Sequence, residues 1–140
     1  MFEKILLAVD GSEHSLRAAR EAGELARAMK SEILRIVVAF EHIPAYLGEP
    51  NRQHAITARM RQAQEILDEA QEAAGKIPGE IHSELIEGSA AEAIIKVAVT
   101  RGSTVIVMGS RGLSTMAELV LGSTTHKVVS HAPCPVLIVR

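Results

Sequence analysis

Five short apolar runs punctuate the chain. Between them lie longer stretches in which apolar residues return every three or four positions. The runs are 4–9 (KILLAV), 33–39 (ILRIVVA), 80–86 (EIHSELI), 104–108 (TVIVM) and 135–139 (PVLIV). Their β-branched content and flanking Gly, Pro or Asp predict strands. The first, second and fourth are apolar nearly throughout, as strands buried on both faces of a parallel sheet are. The third carries polar residues and reads as an edge strand. Arg35 is a charge inside the second run, and such a residue either snorkels to solvent or finds a partner.

The intervening stretches predict helices. Over 12–30, Leu16, Ala19, Gly23 and Ala26 share one face. Over 51–75, the series Ile56, Met60, Ala63, Leu67, Ala70, Ala74 steps by three or four, the mark of an amphipathic helix laid on a flat surface. Over 89–101, Ala93, Ile94, Val97 and Ala98 repeat the theme. There Ser89 is placed as N-cap, with Glu92 three residues on. A last helix ends near 131, stopped by Pro133. Its start is open: 113–121 fits a helical turn or a loop, with the main helix beginning at Ser123.

The order βαβαβαβαβ implies a mostly parallel sheet with helices on both faces. A closed (β/α)₈ barrel needs about 250 residues, and the chain has 140. The expectation is therefore α/β: a single domain, 1–140, built on an open, five-stranded, Rossmann-like sheet. One long irregular stretch, 40–50 (FEHIPAYLGEP), reads as a binding lid or mobile segment.

Composition narrows the partners. Apolar residues are 47% and charged residues 23%, which suits a folded globule. A formal charge of −2, one Tyr, two Phe and no Trp argue against nucleic acid. No apolar run nears the roughly 20 residues that cross a bilayer, so no membrane insertion is expected. The N-terminus, MFEKILLAVDGSE, lacks a secretory signal pattern. With Cys134 the single cysteine, the expected location is cytoplasmic.

Ligands of open α/β sheets bind beyond the carboxyl ends of the strands, where the winding reverses. There the chain reads Asp10-Gly11-Ser12, Glu87-Gly88-Ser89 and Met108-Gly109-Ser110-Arg111-Gly112. Glycine beside serine suits a polar cleft with close backbone approach. Gly122-Ser123-Thr124 then opens a helix, whose free N–H groups and dipole favour an anion such as phosphate. Taken alone, Ser123 reads as an N-cap, and Asp10 reads equally well as a turn or cap residue.

The opening KILLAVDGSEHS, the segment GSRGLSTMAELVLGST and the closing HAPCPVLIV resemble the universal stress protein family over essentially the full length. The pattern G-x2-G-x9-G-[ST], complete here, resembles that of its ATP-binding branch. The resemblance implies strand order 3-2-1-4-5, commonly a homodimer, and ATP or another adenine nucleotide across the ends of strands one and four. It implies that Ala8 and Asp10 line the nucleotide cleft. Val38 and Met108 would contact base or ribose. Gly109, Arg111 and Gly112 would wrap ribose and phosphates, and Gly122, Ser123 and Thr124 would hold the phosphate chain. Mg²⁺ or Mn²⁺ would be bridged mainly by the phosphates, with no metal site of protein ligands. In that strand order 135–139 is an apolar edge, which pairing with a second copy would cover.

The functional expectation is a stress-response or signalling module acting through ligand-dependent conformation or a protein partner. A slow ATPase or phosphotransferase, or a structural dimer with a vestigial site, are the alternatives. No GxxxxGK[ST] loop and no evident base are present, so no catalytic residue is assigned. The histidines at 14, 42, 54, 82, 126 and 131 form no ligand spacing and read as surface or capping residues. Cys134, between two prolines, reads as structural.

Overall fold

The computed structural model describes residues 1–111 and 121–140. Its strands are β1 (Lys4–Ala8), β2 (Ile33–Phe40), β3 (Glu80–Glu87), β4 (Val105–Gly109) and β5 (Val136–Val139). They form one five-stranded sheet in the order β3-β2-β1-β4-β5. All four pairings are parallel. Helices α1 (Glu13–Met29), α2 (Asn51–Ala74), α3 (Ala90–Arg101) and α4 (Ser123–His131) complete the described elements with a short 3₁₀ turn, Ala45–Leu47. The order 3-2-1-4-5 follows the resemblance. The winding reverses between β1 and β4, which opens a crevice at their carboxyl ends.

Strand alternation assigns each residue to one of two cores. Ile5, Leu7, Ile36, Val38 and Val107 face α1 and α2. Leu6, Ala8, Val37, Ile106 and Met108 face α3 and α4. Helix α1 approaches closely because its buried stripe is made of small residues: Ser15, Ala18, Ala19, Ala22, Gly23 and Ala26. A Cβ on Gly23 would lie 2.0 Å from the Ala74 carbonyl oxygen at the end of α2. Arg27 Nη1 ties that end to α1 by donating to the carbonyls of Ala74 (2.7 Å) and Lys76 (3.0 Å). The bond to Ala74 satisfies a carbonyl that a helix end leaves without an intrahelical partner.

Arg35 is paired. Its Nη1 lies 2.6 Å from Glu84 Oε1 on β3, and Arg101 Nη2 from the last turn of α3 lies 2.8 Å from the same oxygen. The Arg35 and Glu84 side chains are 12% and 18% exposed, so the carboxylate neutralises a largely buried cation. Glu84→Gln is expected to destabilise the fold by about 2 kcal/mol, short of the 3–5 for breaking a fully buried pair because solvent reaches Arg101. Urea unfolding of the two proteins measures this, and equal midpoints would refute it.

The stretch 40–50 contributes Phe40 and Glu41 to a cleft that Val38 and Arg59 also border. It holds the 3₁₀ turn, with Ile43 buried and Tyr46 exposed. Ser89 stands at the N-cap of α3, as the spacing predicts, but its side chain makes no capping bond. Among the described residues, no helix is long and apolar enough to cross a membrane.

Candidate functional site

The first wall of the site is the turn from β1 into α1. Asp10 Oδ1 accepts the Ser12 N–H at 2.9 Å, and Gly11 adopts φ +87°, a left-handed conformation suited to glycine. Ser12 Oγ then accepts the Ser15 N–H at 3.2 Å and caps α1. Ser15 Oγ donates to the Ser12 carbonyl at 3.0 Å and accepts the Asp10 N–H at 3.3 Å. Asp10 is thus a turn residue through one carboxylate oxygen, and it also stands in the cavity wall.

The second wall joins the end of β4 to the start of α4. Thr125 Oγ1 donates to the Gly109 carbonyl at 2.9 Å, and the Gly122 N–H donates to the Ser110 carbonyl at 2.9 Å. Both ends of this connection are therefore fixed side by side. Gly122 is the N-cap of α4 and has no side chain with which to cap it. Helix α1 closes its own N-terminus with Ser12, whereas among the described residues α4 has no side-chain cap for the donors of its first turn. Uncapped N–H groups at the positive end of a helix dipole suit an anion.

Between these walls lies a cavity of about 220 Å³. Ala8, Val37, Ile94 and Met108 give it an apolar side, and Asp10, Arg111, Ser123 and Thr124 a polar one. Its volume is below the roughly 300–1,000 Å³ usual for a ligand pocket, so a long ligand would extend past its mouth. The structure brings together Ala8, Asp10, Met108, Gly109, Arg111, Gly122, Ser123 and Thr124 of the sequence-predicted set. Gly112 lies outside the described residues, as does the choice of turn or loop for 113–120.

Val38 stands apart from this set by its side chain. Its side chain packs in the α1–α2 core, on the face opposite Met108, and it borders a separate cleft with Phe40 and Arg59. Its neighbours Val37 and Ala39 line the cavity instead. Alternation makes the three positions exclusive: side chains at 37 and 39 share a face that 38 cannot. Gly109 lines the cavity and also serves packing. A Cβ there would meet His14 Cβ at 2.8 Å and the His14 carbonyl carbon at 2.9 Å, so the missing side chain admits α1, not only a ligand.

His14 is the residue that sequence reasoning missed. It is part-buried, with Nδ1 3.1 Å from Ser110 Oγ and Nε2 3.1 Å from Arg111 Nη2. Nothing in its spacing marks it, because its partners are 96 and 97 residues away. The other histidines fit surface or local roles. His42 pairs with Glu87, His82 Nε2 lies 2.9 Å from Glu80 Oε2, and His131 Nδ1 lies 3.0 Å from the Lys127 carbonyl. Burial pushes the Cys134 thiol above its usual value, which keeps it from forming a reactive thiolate. Among the described residues, no group of three or more His, Cys, Asp or Glu side chains is placed to hold a metal ion.

The model of the universal stress protein family matches residues 1–140. The chain belongs to this family. A universal stress protein of Thermus aquaticus is 45% identical over 140 residues, spanning 100% of both chains. The Bacillus subtilis universal stress protein YxiE is 33% identical over 148 residues, again across 100% of both. Among solved structures, universal stress protein UspA from Lactobacillus plantarum superposes with a TM-score of 0.85 at 26% identity, covering 99% of this chain and 98% of that one. A universal stress protein in complex with cAMP superposes with a TM-score of 0.68 at 30% identity, covering 99% and 97%.

Proposed function

We infer that this universal stress protein binds an adenine nucleotide, with ATP the preferred candidate, across the carboxyl ends of β1 and β4. The observation that carries the reading is the junction of an apolar-walled cavity with the N-terminus of α4, which has no side-chain cap among the described residues. The apolar side, from Ala8, Val37, Ile94 and Met108, suits a base. The Asp10 carboxylate suits the hydroxyls of a ribose. Ser123, Thr124 and the first-turn N–H groups suit phosphate oxygens. The family relative in complex with cAMP supports the adenine class. Mg²⁺ or Mn²⁺ would sit mainly on the phosphates, with Asp10 the carboxylate in the cavity wall. Bound nucleotide would change the surface around the site and so the contact with a protein partner.

Calorimetric titration with ATP and Mg²⁺ tests this, with a dissociation constant in the micromolar range expected. No binding heat at two temperatures, together with no small molecule released on denaturation, would overturn it. The same reading includes a homodimer through β5, the sheet edge next to β4, where Leu137 is 40% exposed. Pairing two such edges removes unpaired backbone groups and apolar surface together. Light scattering at micromolar concentration should return twice the 15.0 kDa chain mass. A monomer there would refute the dimer without touching the nucleotide site.

A further inference from the structure

The contact between His14 and Arg111 joins the N-terminus of α1 to the mouth of the cavity. An arginine has only donors, so His14 Nε2 must offer a lone pair to Arg111 Nη2 at 3.1 Å. The ring proton then sits on Nδ1 and is donated to Ser110 Oγ at 3.1 Å. Both partners belong to the turn leaving β4, and Arg111 lines the cavity while His14 stands behind it. Gly109, the residue before them, packs against His14 at distances that admit no side chain. One neutral imidazole therefore contacts two successive residues of the turn that leads into the cavity wall.

We propose that His14 is a positioning residue for nucleotide binding, active only as the neutral Nδ1–H tautomer, and that its protonation breaks the contact with Arg111 and weakens binding of the nucleotide phosphates. The proposal rests on the nucleotide reading above. A proton on Nε2 would set a donor against a donor and a cation against a cation, so the contact between His14 and Arg111 could not persist. Imidazole is the side chain that changes charge between about pH 5 and 8. The charged groups near His14 among the described residues come from several elements. Glu13 and Arg17 lie on its own helix, and Arg17 Nε donates to the Arg140 carbonyl at 2.9 Å, beyond β5. Asp10 lies in the preceding turn, engaged with the Ser12 N–H. Glu69 of α2 borders the Gly11–Ser12 side of α1. Arg111 makes the direct contact from the turn leaving β4.

The test is calorimetric titration of the full chain with ATP and Mg²⁺ at pH 7.5 and 5.5, for wild type, H14Q and H14A. Titration of the ligand's own phosphates cancels in the ratio between proteins at each pH. Glutamine offers an uncharged acceptor to Arg111 at both pH values. The wild-type and H14Q affinities should agree within about twofold at pH 7.5, and wild type should be about fivefold weaker than H14Q at pH 5.5, the scale of one charge-assisted hydrogen bond. H14A should be about fivefold weaker than wild type at pH 7.5. A wild-type to H14Q ratio that stays the same at both pH values overturns the proposal. Nitrogen-15 imidazole spectra of the ligand-free protein provide the independent reading. They should show His14 carrying its proton on Nδ1 at pH 7.5, and the opposite tautomer overturns the proposal whatever ATP does. Absence of ATP binding in all three proteins at pH 7.5 overturns the nucleotide reading, and the tautomer then decides the His14 arrangement alone.

Discussion

Gly122→Val is expected to weaken ATP binding at least about 100-fold, which corresponds to about 2.7 kcal/mol. Two charge-assisted hydrogen bonds from the first turn of α4, at about 1.5–3 kcal/mol each, suffice for that loss. The fold should survive. Gly122 sits at φ −60° and ψ 158°, extended backbone open to any residue. A branched residue at an N-cap is less favourable than glycine by about 1 kcal/mol, so the melting temperature should fall by no more than about 4 °C. Titration calorimetry and a thermal scan of the same preparation check both statements. An affinity within threefold of wild type would remove α4's N-terminus from the site.

Gly23→Ala is expected to do the reverse, destabilising the fold by about 3 kcal/mol and lowering the melting temperature by about 10 °C. The new Cβ would lie 2.0 Å from the Ala74 oxygen and 2.7 Å from its carbon. These are backbone atoms at the end of α2 and cannot swing aside as a flexible side chain would. Helices α1 and α2 would have to separate over a core that already excludes water from Ala19, Ala22 and Ala26. Two effects oppose each other, since alanine is the better helix former by about 1 kcal/mol. The steric term should win because overpacking against a fixed backbone costs up to about 3 kcal/mol or more. A thermal scan in which G23A melts at or above wild type would show that the helices are not this close.

Between these cases stands Gly109, which lines the cavity and also abuts His14. A large residue there disturbs α1 and the site at once. It therefore cannot separate binding from folding, whereas Gly122 can. The pattern G-x2-G-x9-G-[ST] thus combines glycines with different physical reasons, and spacing alone does not distinguish them.

The sequence by itself determined the order of elements, because apolar runs separated by three-or-four-residue periodicity admit little but an open parallel α/β sheet in 140 residues. It also marked where a ligand is expected to sit, because glycine and serine gather where strands end and helices begin. The tertiary structure decided which parity of β2 faces that place. A period of two says that Val37 and Val38 diverge, but only the seating of α3 and α4 says that Val37 meets the cavity. It likewise supplied Arg35 with Glu84, 49 residues on, and Arg111 with His14, 97 residues back. Local pattern encodes direction and burial. Which side chains meet depends on how separate elements pack, and no spacing along the chain records that contact.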